Sequence, residues 1–465
     1  MSDRENRAFD ELIEQALSEA PPEEVVRDVT PWRHTMSQVL WGLGLTGITV
    51  QFLGLNYILP AIGCLLLLCG FRTLRRENGY FRACFVIAAL QTAVTYAVLC
   101  INTTVYAYSD TIQAVYSALT VPNIVLQMAQ PLLLWAGIRA VQARAGLEKH
   151  AGSAMALFAW RALIVWGALA GASNLGWIAG IFMLVMYGLI IYSLARLSSE
   201  LDEAGYAVRA AASRVSNRTV VMAILAVCAV LAVCGYAFLN KYPMDWEPAE
   251  DGRGPGVEDV VGQLTELGFP ADVLADMSDS DILACEGAQE VIVQRDGGVD
   301  WNNLYVCHVL VRLPDDDWQL VQHFAWRESP GFYGTEAIQL WPAWHLDAGW
   351  AQESGVTGQV LYDRDGETYV SDYHSVSEEY HNGLVGVYLS FAFPNSGENQ
   401  RGYITYRTKN VDERWLFDSW FNYARKESLL IYPNMEVIYG LRNGLWINMV
   451  HGMHEDQFAI QRHLY

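Results

Sequence analysis

Basic residues are scarce in this 465-residue chain: 30 Lys and Arg stand against 51 Asp and Glu, for a net charge of −21. A surface that binds phosphate needs clustered cations, so this balance disfavours nucleic acid and anionic lipid surfaces as partners. Cysteine is sparse too, and its eight occurrences include no CxxC and no Cys/His metal spacing. The Gly-x-Ser-x-Gly, Walker and HExxH patterns are missing, so no motif specifies a reaction or implies a cofactor. A last scarcity is positional. The first half holds several runs almost without charge, and the second half holds none.

Those runs, each roughly 15 to 22 residues, are long enough as helices for a hydrocarbon core of about 30 Å. The first 240 residues carry about as many basic as acidic side chains, so nearly all of the −21 lies beyond them. The chain therefore reads as a membrane α-helical bundle followed by an acidic soluble domain. The stretch from Val39 to Phe71 is too long for one span. "GLNY" at 54–57 breaks it, because Gly and Asn tolerate turn dihedrals, Asn56 can cap a following helix, and Pro60 then falls in its first turn. The two arms either cross fully or dip in as a re-entrant hairpin, and both versions return the chain to its starting side. About seven segments result: 39–54, 57–71, 80–100, 120–138, 153–171, 176–197 and 220–239.

Arg72, Arg75, Arg76 and Arg82 in one short loop mark the cytoplasmic side. Arg139, Arg144 and Lys149 mark it again, as do Arg196, Arg209, Arg214 and Arg218, whereas the loop 101–118 has no Lys or Arg. The expectation is a multi-pass plasma-membrane protein with a cytoplasmic N-terminus and an extracytoplasmic C-terminal domain. Residues 1–37 form an acidic tip where a secretory signal would be basic and apolar, so the first membrane segment is expected to act as the targeting signal.

Within the bundle, Arg161 is the one strong ionisable candidate: it either snorkels to the cytoplasmic interface or faces the interior. Gln127, Gln130 and Pro131 make a polar, kinked patch suited to helix association. Gly167 with Gly171, and Gly176 with Gly180, have the spacing for close helix packing. So few ionisable groups argue against an ion-coupled transporter.

In "NRAFDELIEQAL", Phe9, Leu12, Ile13, Ala16 and Leu17 recur at helical spacing on an acidic helix that Pro21 and Pro22 end. The stripe either packs on the protein's own loops or docks a cytoplasmic regulatory protein. "FDELIEQALSEAPPEE" resembles the short lead segment of membrane-bound anti-sigma regulators of Gram-positive bacteria, a resemblance that implies such a regulatory partner. The run from Pro31 and Trp32 through "LWGLGL", "LGLNYILP" and "GFRTLRREN" is similar to uncharacterised multi-pass bacterial membrane proteins, which implies no activity.

Residues 241–256 read as a linker, 257–287 as helical, and 290–465 as β-rich with Asp-Gly hairpin signals. The expected fold is α+β, mostly an antiparallel β-sandwich or jelly roll. Ten of the sixteen tryptophans lie in this half; Trp341, Trp344 and Trp350 suit either a carbohydrate-stacking platform or core packing. His374, Glu378 and His381 would share a face if helical, making a weak metal or acid/base candidate, and "HGMHED" offers His451, His454, Glu455 and Asp456. Cys285 and Cys307, alone in the soluble half, either pair or stand as buried thiols. The leading expectation is an extracytoplasmic sensor of an envelope or extracellular ligand that signals inward. Alternatives are a membrane-anchored carbohydrate or envelope-binding module and, third, an extracytoplasmic hydrolase.

Overall fold

The computed structural model describes residues 29–47, 54–170, 177–209, 215–250, 252–295, 303–342, 350–352, 354–381, 384–410, 416–426, 428–443 and 456–463. The chain divides into a helical unit, Met1–Cys100 with Ala114–Leu231, and a β-rich unit, Ile101–Gln113 with Ala232–Tyr465.

In the helical unit a short strand β1 (Val29–Pro31) precedes α1 (Trp32–Gly47), α2 (Leu55–Leu74), α3 (Gly79–Ile101), α4 (Asp110–Arg144), α5 (Gly152–Leu169) and α6 (Trp177–Glu203). Strand β2 (Ala207–Arg209) and α7 (Asn217–Phe238) follow. Of the break expected at 54–57, only Gly54 lies outside a helix. Gly54, at φ 74°, sits in the left-handed region that glycine enters without steric cost, and its carbonyl accepts from Tyr57 N at 2.9 Å. The helix therefore starts at Leu55, so Asn56 lies inside α2 instead of capping it, and Pro60 falls beyond the first turn. Helix α4 is 35 residues long and starts ten residues before the expected 120.

Among the described residues, five helices are long and apolar enough to cross a membrane: α2, α3, α4, α6 from Gly180, and α7. The expected count of about seven is not reached by this measure. Helix α1, with 16 residues, spans about 24 Å, and the apolar part of α5, Gly152–Gly167, is also short of a core about 30 Å thick.

The loops that carry the Arg residues meet at one end of this unit. Strand β1 pairs antiparallel with β2, Trp32 Nε1 donates to Ser198 Oγ at 3.1 Å, and Arg72 donates to Asn217 Oδ1 at 2.6 Å. Buried Glu77 accepts from Tyr206 Oη at 2.7 Å and lies 3.7 Å from Arg144. A core of Trp32, Met36, Phe71, Phe81, Leu134 and Leu194 sits with them. Close helix packing falls on α1 and α2: a Cβ on Gly63 would meet the Gly42 carbonyl at 3.0 Å and Thr46 Cγ2 at 2.7 Å. Gly167 and Gly180, expected to pack closely, face open space, and Gly171 and Gly176 lie outside the described residues.

The β-rich unit is an antiparallel β-sheet domain. One sheet has the order β3 (Glu247–Pro248), β10 (Glu367–Asp372), β9 (Thr357–Arg364), β13 (Glu398–Asn410), β6 (Asp317–Trp326), β5 (Leu304–Arg312), β4 (Glu290–Arg295), with β8 (Trp350–Gln352) on β13. The other has the order β11 (Ser375–His381), β12 (Leu384–Phe391), β7 (Glu336–Trp341), β14 (Leu416–Arg425), β15 (Asp456–His463). Alternation along the strands explains the layers. Val306, Leu310, Leu320, Phe324, Ile404 and Tyr406 meet Ile338, Leu340, Val387, Leu389, Phe421 and Tyr423 of the second sheet in one core, as a sandwich requires. The opposite faces of the same strands, at Cys307, Val309, Val311 and Val321, pack on α8 (Val257–Glu266), α9 (Ala271–Asp276) and α10 (Asp279–Leu283). A last helix, α11 (Val437–Arg442), covers Ala337, Tyr388 and Ala424 on the outer face of the second sheet.

An Asp-Gly hairpin signal acted as expected. Asp365 (φ 56°) and Gly366 (φ 84°) form the two-residue turn between paired Arg364 and Glu367. Ser278 caps α10, accepting from Asp281 N at 3.2 Å. The expected linker is instead built into the domain, because β3 pairs with β10 and Arg253 donates to the carbonyls of Leu274 and Met277 at 2.6 Å each.

Candidate functional site

The site begins with a proline. Pro131 has no N–H, so the carbonyl four residues earlier in α4, that of Gln127, is left without its helical donor. Arg161 of α5 supplies one: its Nη1 donates to Gln127 O at 2.8 Å and lies 3.4 Å from Gln130 Oε1. The guanidinium thus turns toward α4, and snorkelling to the interface is not what it does. Tyr187 is its electrostatic neighbour, and no carboxylate among the described residues pairs with it.

Arg161, Gln127 and Gln130 line a cavity of about 360 Å3, together with Thr95, Tyr116 and Asn123. Gln130 is 1% exposed, and its Nε2 has no hydrogen-bond partner; the hydroxyl of Tyr116 is likewise buried without one. Such groups cost free energy when buried unpaired, which marks the cavity as a place where hydrogen bonds are still available. Apart from Thr46, Gln91 and Thr120 its remaining wall is apolar, and Leu90, Val94 and Leu119 are 49%, 44% and 43% exposed. Sequence reading singled out Arg161 and, separately, the patch of Gln127, Gln130 and Pro131. Their meeting across 31 to 34 residues had no local signal.

A second polar cluster lies in the β-rich unit, where the segment 101–113 and the exit of α7 are bonded to the sandwich. Asn434 N donates to Asn102 O at 2.7 Å, its Nδ2 to Thr103 O at 3.0 Å, and its Oδ1 accepts from Lys426. Val105 N donates to Leu239 O at 2.7 Å, Tyr236 Oη to Ile431 O at 2.8 Å, and Lys241 Nζ to Phe393 O at 2.6 Å. Burial dominates the protonation of the charged members. It pulls Lys426 and Lys241 down to about 8, the latter opposed by Glu336, and pushes Glu336 up to about 8 against its bond from Tyr423. Tyr242 donates to Glu436 at 2.9 Å, and burial raises the Glu436 carboxyl despite that bond.

The other sequence candidates do not assemble. Residues 375–381 are strand, paired with β12, so His374, Glu378 and His381 spread over about 23 Å instead of sharing a helical face. His374 stacks on Tyr242 with ring centroids 4.1 Å apart, and Glu378 accepts from Gln352 at 3.2 Å. No group of three potential metal ligands occurs among the described residues. Trp341 ends β7, opposite Trp420, whereas Trp350 begins β8 on the other sheet. Trp344 lies outside the described residues, as do Phe9, Leu12, Ile13 and Leu17, and His451, His454 and Glu455. Cys285 and Cys307 are both free and buried, so the pairing expectation gives way to two core thiols.

No known family model matches the chain, and no curated protein matches it. Among solved structures, the collagen-binding domain from a Staphylococcus aureus adhesin is 12% identical, covering 31% of this chain and 88% of its own length at a TM-score of 0.19. The KRT10-binding region domain of the pneumococcal serine rich repeat protein PsrP is 10% identical, covering 37% and 99% at 0.20. AvmM, which catalyses macrocyclization in alchivemycin A biosynthesis, is 8% identical, covering 38% and 89% at 0.18. Likenesses this faint carry no argument about function.

Proposed function

We propose that the chain is a multi-pass membrane protein whose acidic β-rich domain, outside the cytoplasm, senses an envelope or extracellular ligand and passes its occupancy to the helices. The observation that carries this reading is the buried polar cluster around Asn434. A module that was merely tethered would need one flexible link. Here the segment between α3 and α4 is held to the sandwich by two Asn434 bonds, and the exit of α7 is held by Tyr236 and Lys241. The Arg-rich loops support a cytoplasmic location for the N-terminal tip, whose apolar stripe of Phe9, Leu12, Ile13 and Leu17 would contact a regulatory protein.

The test compares transcript profiles of cells carrying the full chain, a chain lacking residues 1–22, and Asn434→Leu, with surface abundance matched. Signalling predicts that both changes alter the envelope-linked transcripts. An anchored binding module predicts that neither does, and that result would sink the proposal.

A further inference from the structure

The cavity at Arg161 lies on the lipid-facing side of the helical unit, at a defined depth. Its wall uses Thr46 near the end of α1, Pro60 and Cys64 near the start of α2, Leu90 to Val98 late in α3, and Tyr116 to Gln130 in the first part of α4. The stretches of α1, α2 and α3 are toward the end opposite the Arg-rich loops, whereas Gln130 and Arg161 stand near the middle of α4 and α5, so the cavity runs from mid-depth toward the leaflet away from those loops. Its rim residues Leu90, Val94 and Leu119 are exposed on helices apolar enough to be immersed in lipid, so it opens sideways to the bilayer.

We infer that this cavity binds the headgroup of an anionic lipid, with Arg161 as the charge partner and Gln130 Nε2 and the Tyr116 hydroxyl as further donors to the head oxygens. Three observations converge on that chemistry. A guanidinium has five N–H donors, and both carbonyl bonds of Arg161 use Nη1, so donors remain for an oxyanion. Gln130 Nε2 and the Tyr116 hydroxyl, both able to donate, are buried without partners on the same wall. No carboxylate among the described residues neutralises the cation, and an unpaired charge is costly at membrane depth. A volume of about 360 Å3 holds a head and the first part of an acyl chain, and the lateral opening lets the rest lie in the bilayer. The overall acidity does not oppose this, because the excess negative charge lies beyond residue 240 and the recognition here rests on one buried cation.

The experiment is a lipid titration of the full chain in detergent, read by native mass spectrometry, with phosphatidylglycerol, phosphatidylcholine and inorganic phosphate as separate probes. One phosphatidylglycerol per chain should bind about tenfold or more tightly than phosphatidylcholine, and phosphate alone should not bind. Arg161→Gln should remove that preference, and Gln130→Leu should weaken it about tenfold. Leu90→Trp, which obstructs the mouth without touching the polar groups, should block uptake while the protein stays monodisperse. Equal binding of both lipids, unchanged binding in Arg161→Gln or Leu90→Trp, or capture of free phosphate in place of lipid would each overturn the inference.

Discussion

Glu336 holds its proton more tightly than an exposed carboxyl because it is 1% exposed, and the bond from Tyr423 together with the charges of Arg425 and Lys241 only partly offsets the loss of water. Its pKa rises from about 4.5 unfolded to about 8 folded. Between those values the unfolded chain binds fewer protons at this site, so stability falls as pH rises, by at most about 1.4 kcal/mol per pH unit. Lys426 gives the mirror case: depressed from 10.5 to about 8, it makes stability fall as pH drops from 10.5 toward 8. Thermal melts across pH should therefore show Glu336→Gln flattening the profile from pH 4.5 to 8, and Lys426→Met flattening it from 8 to 10.5. Unchanged profiles would mean that these groups stay hydrated. Neither residue was legible in the sequence, since Glu336 follows an ordinary Gly-Thr and its burial comes from partners 87 and more residues away. Arg161 was legible as an oddity, and Pro131 as a kink. That one supplies the donor the other removes is a three-dimensional fact.

Between elements, the helical layer and the first sheet are joined at Asp276, the last residue of α9. Its carboxylate accepts from Arg401 Nε at 2.8 Å and lies 2.7 Å from His323 Nε2, while Arg401 also donates to Asp363 at 2.9 Å. The three side chains come from α9, β6 and β13, and Asp276 and His323 are buried. Asp276→Ala would leave the His323 ring and the Arg401 Nε without this acceptor and should cost about 3 kcal/mol, read as a lower urea midpoint. Arg253→Ala removes donors to the C-terminal carbonyls of α9 and should cost about 1 kcal/mol. Comparable effects of the two would mean that the carboxylate does not organise the junction. The elements themselves were mostly readable. Asp365-Gly366 dictates its hairpin through two positive φ angles, and the helices from 257 to 287 follow from apolar spacing and the Ser278 cap. His374, Glu378 and His381 would share a face only as a helix, and the pairing of residues 375–381 with β12 makes the segment strand instead.

For the whole molecule, the sequence separated a bundle from a β domain and found nearly every helix, because membrane runs and charge breaks are local properties. Strand order was not readable. Strand β13 lies between β9 and β6, a pairing that depends on which faces are buried once all strands are present. Assigning segment 101–113 to the β-rich unit was equally hidden, since its bonds reach residues more than 300 positions away. Sidedness rests on an argument that can be checked directly. The short loops rich in Arg resist translocation, and the structure joins those same loops to one another through Arg72 with Asn217 and Glu77 with Arg144. Under the proposed topology these joined loops are cytoplasmic and the β-rich unit is extracytoplasmic. In a chain with Cys234 replaced by Ser, a membrane-impermeant maleimide applied to intact cells should label Asp365→Cys at the exposed β9–β10 turn. Arg76→Cys, in the exposed part of the first Arg-rich loop, should react only after lysis. Labelling of Arg76→Cys in intact cells, with Asp365→Cys protected, would invert the topology and with it the direction in which any signal could travel.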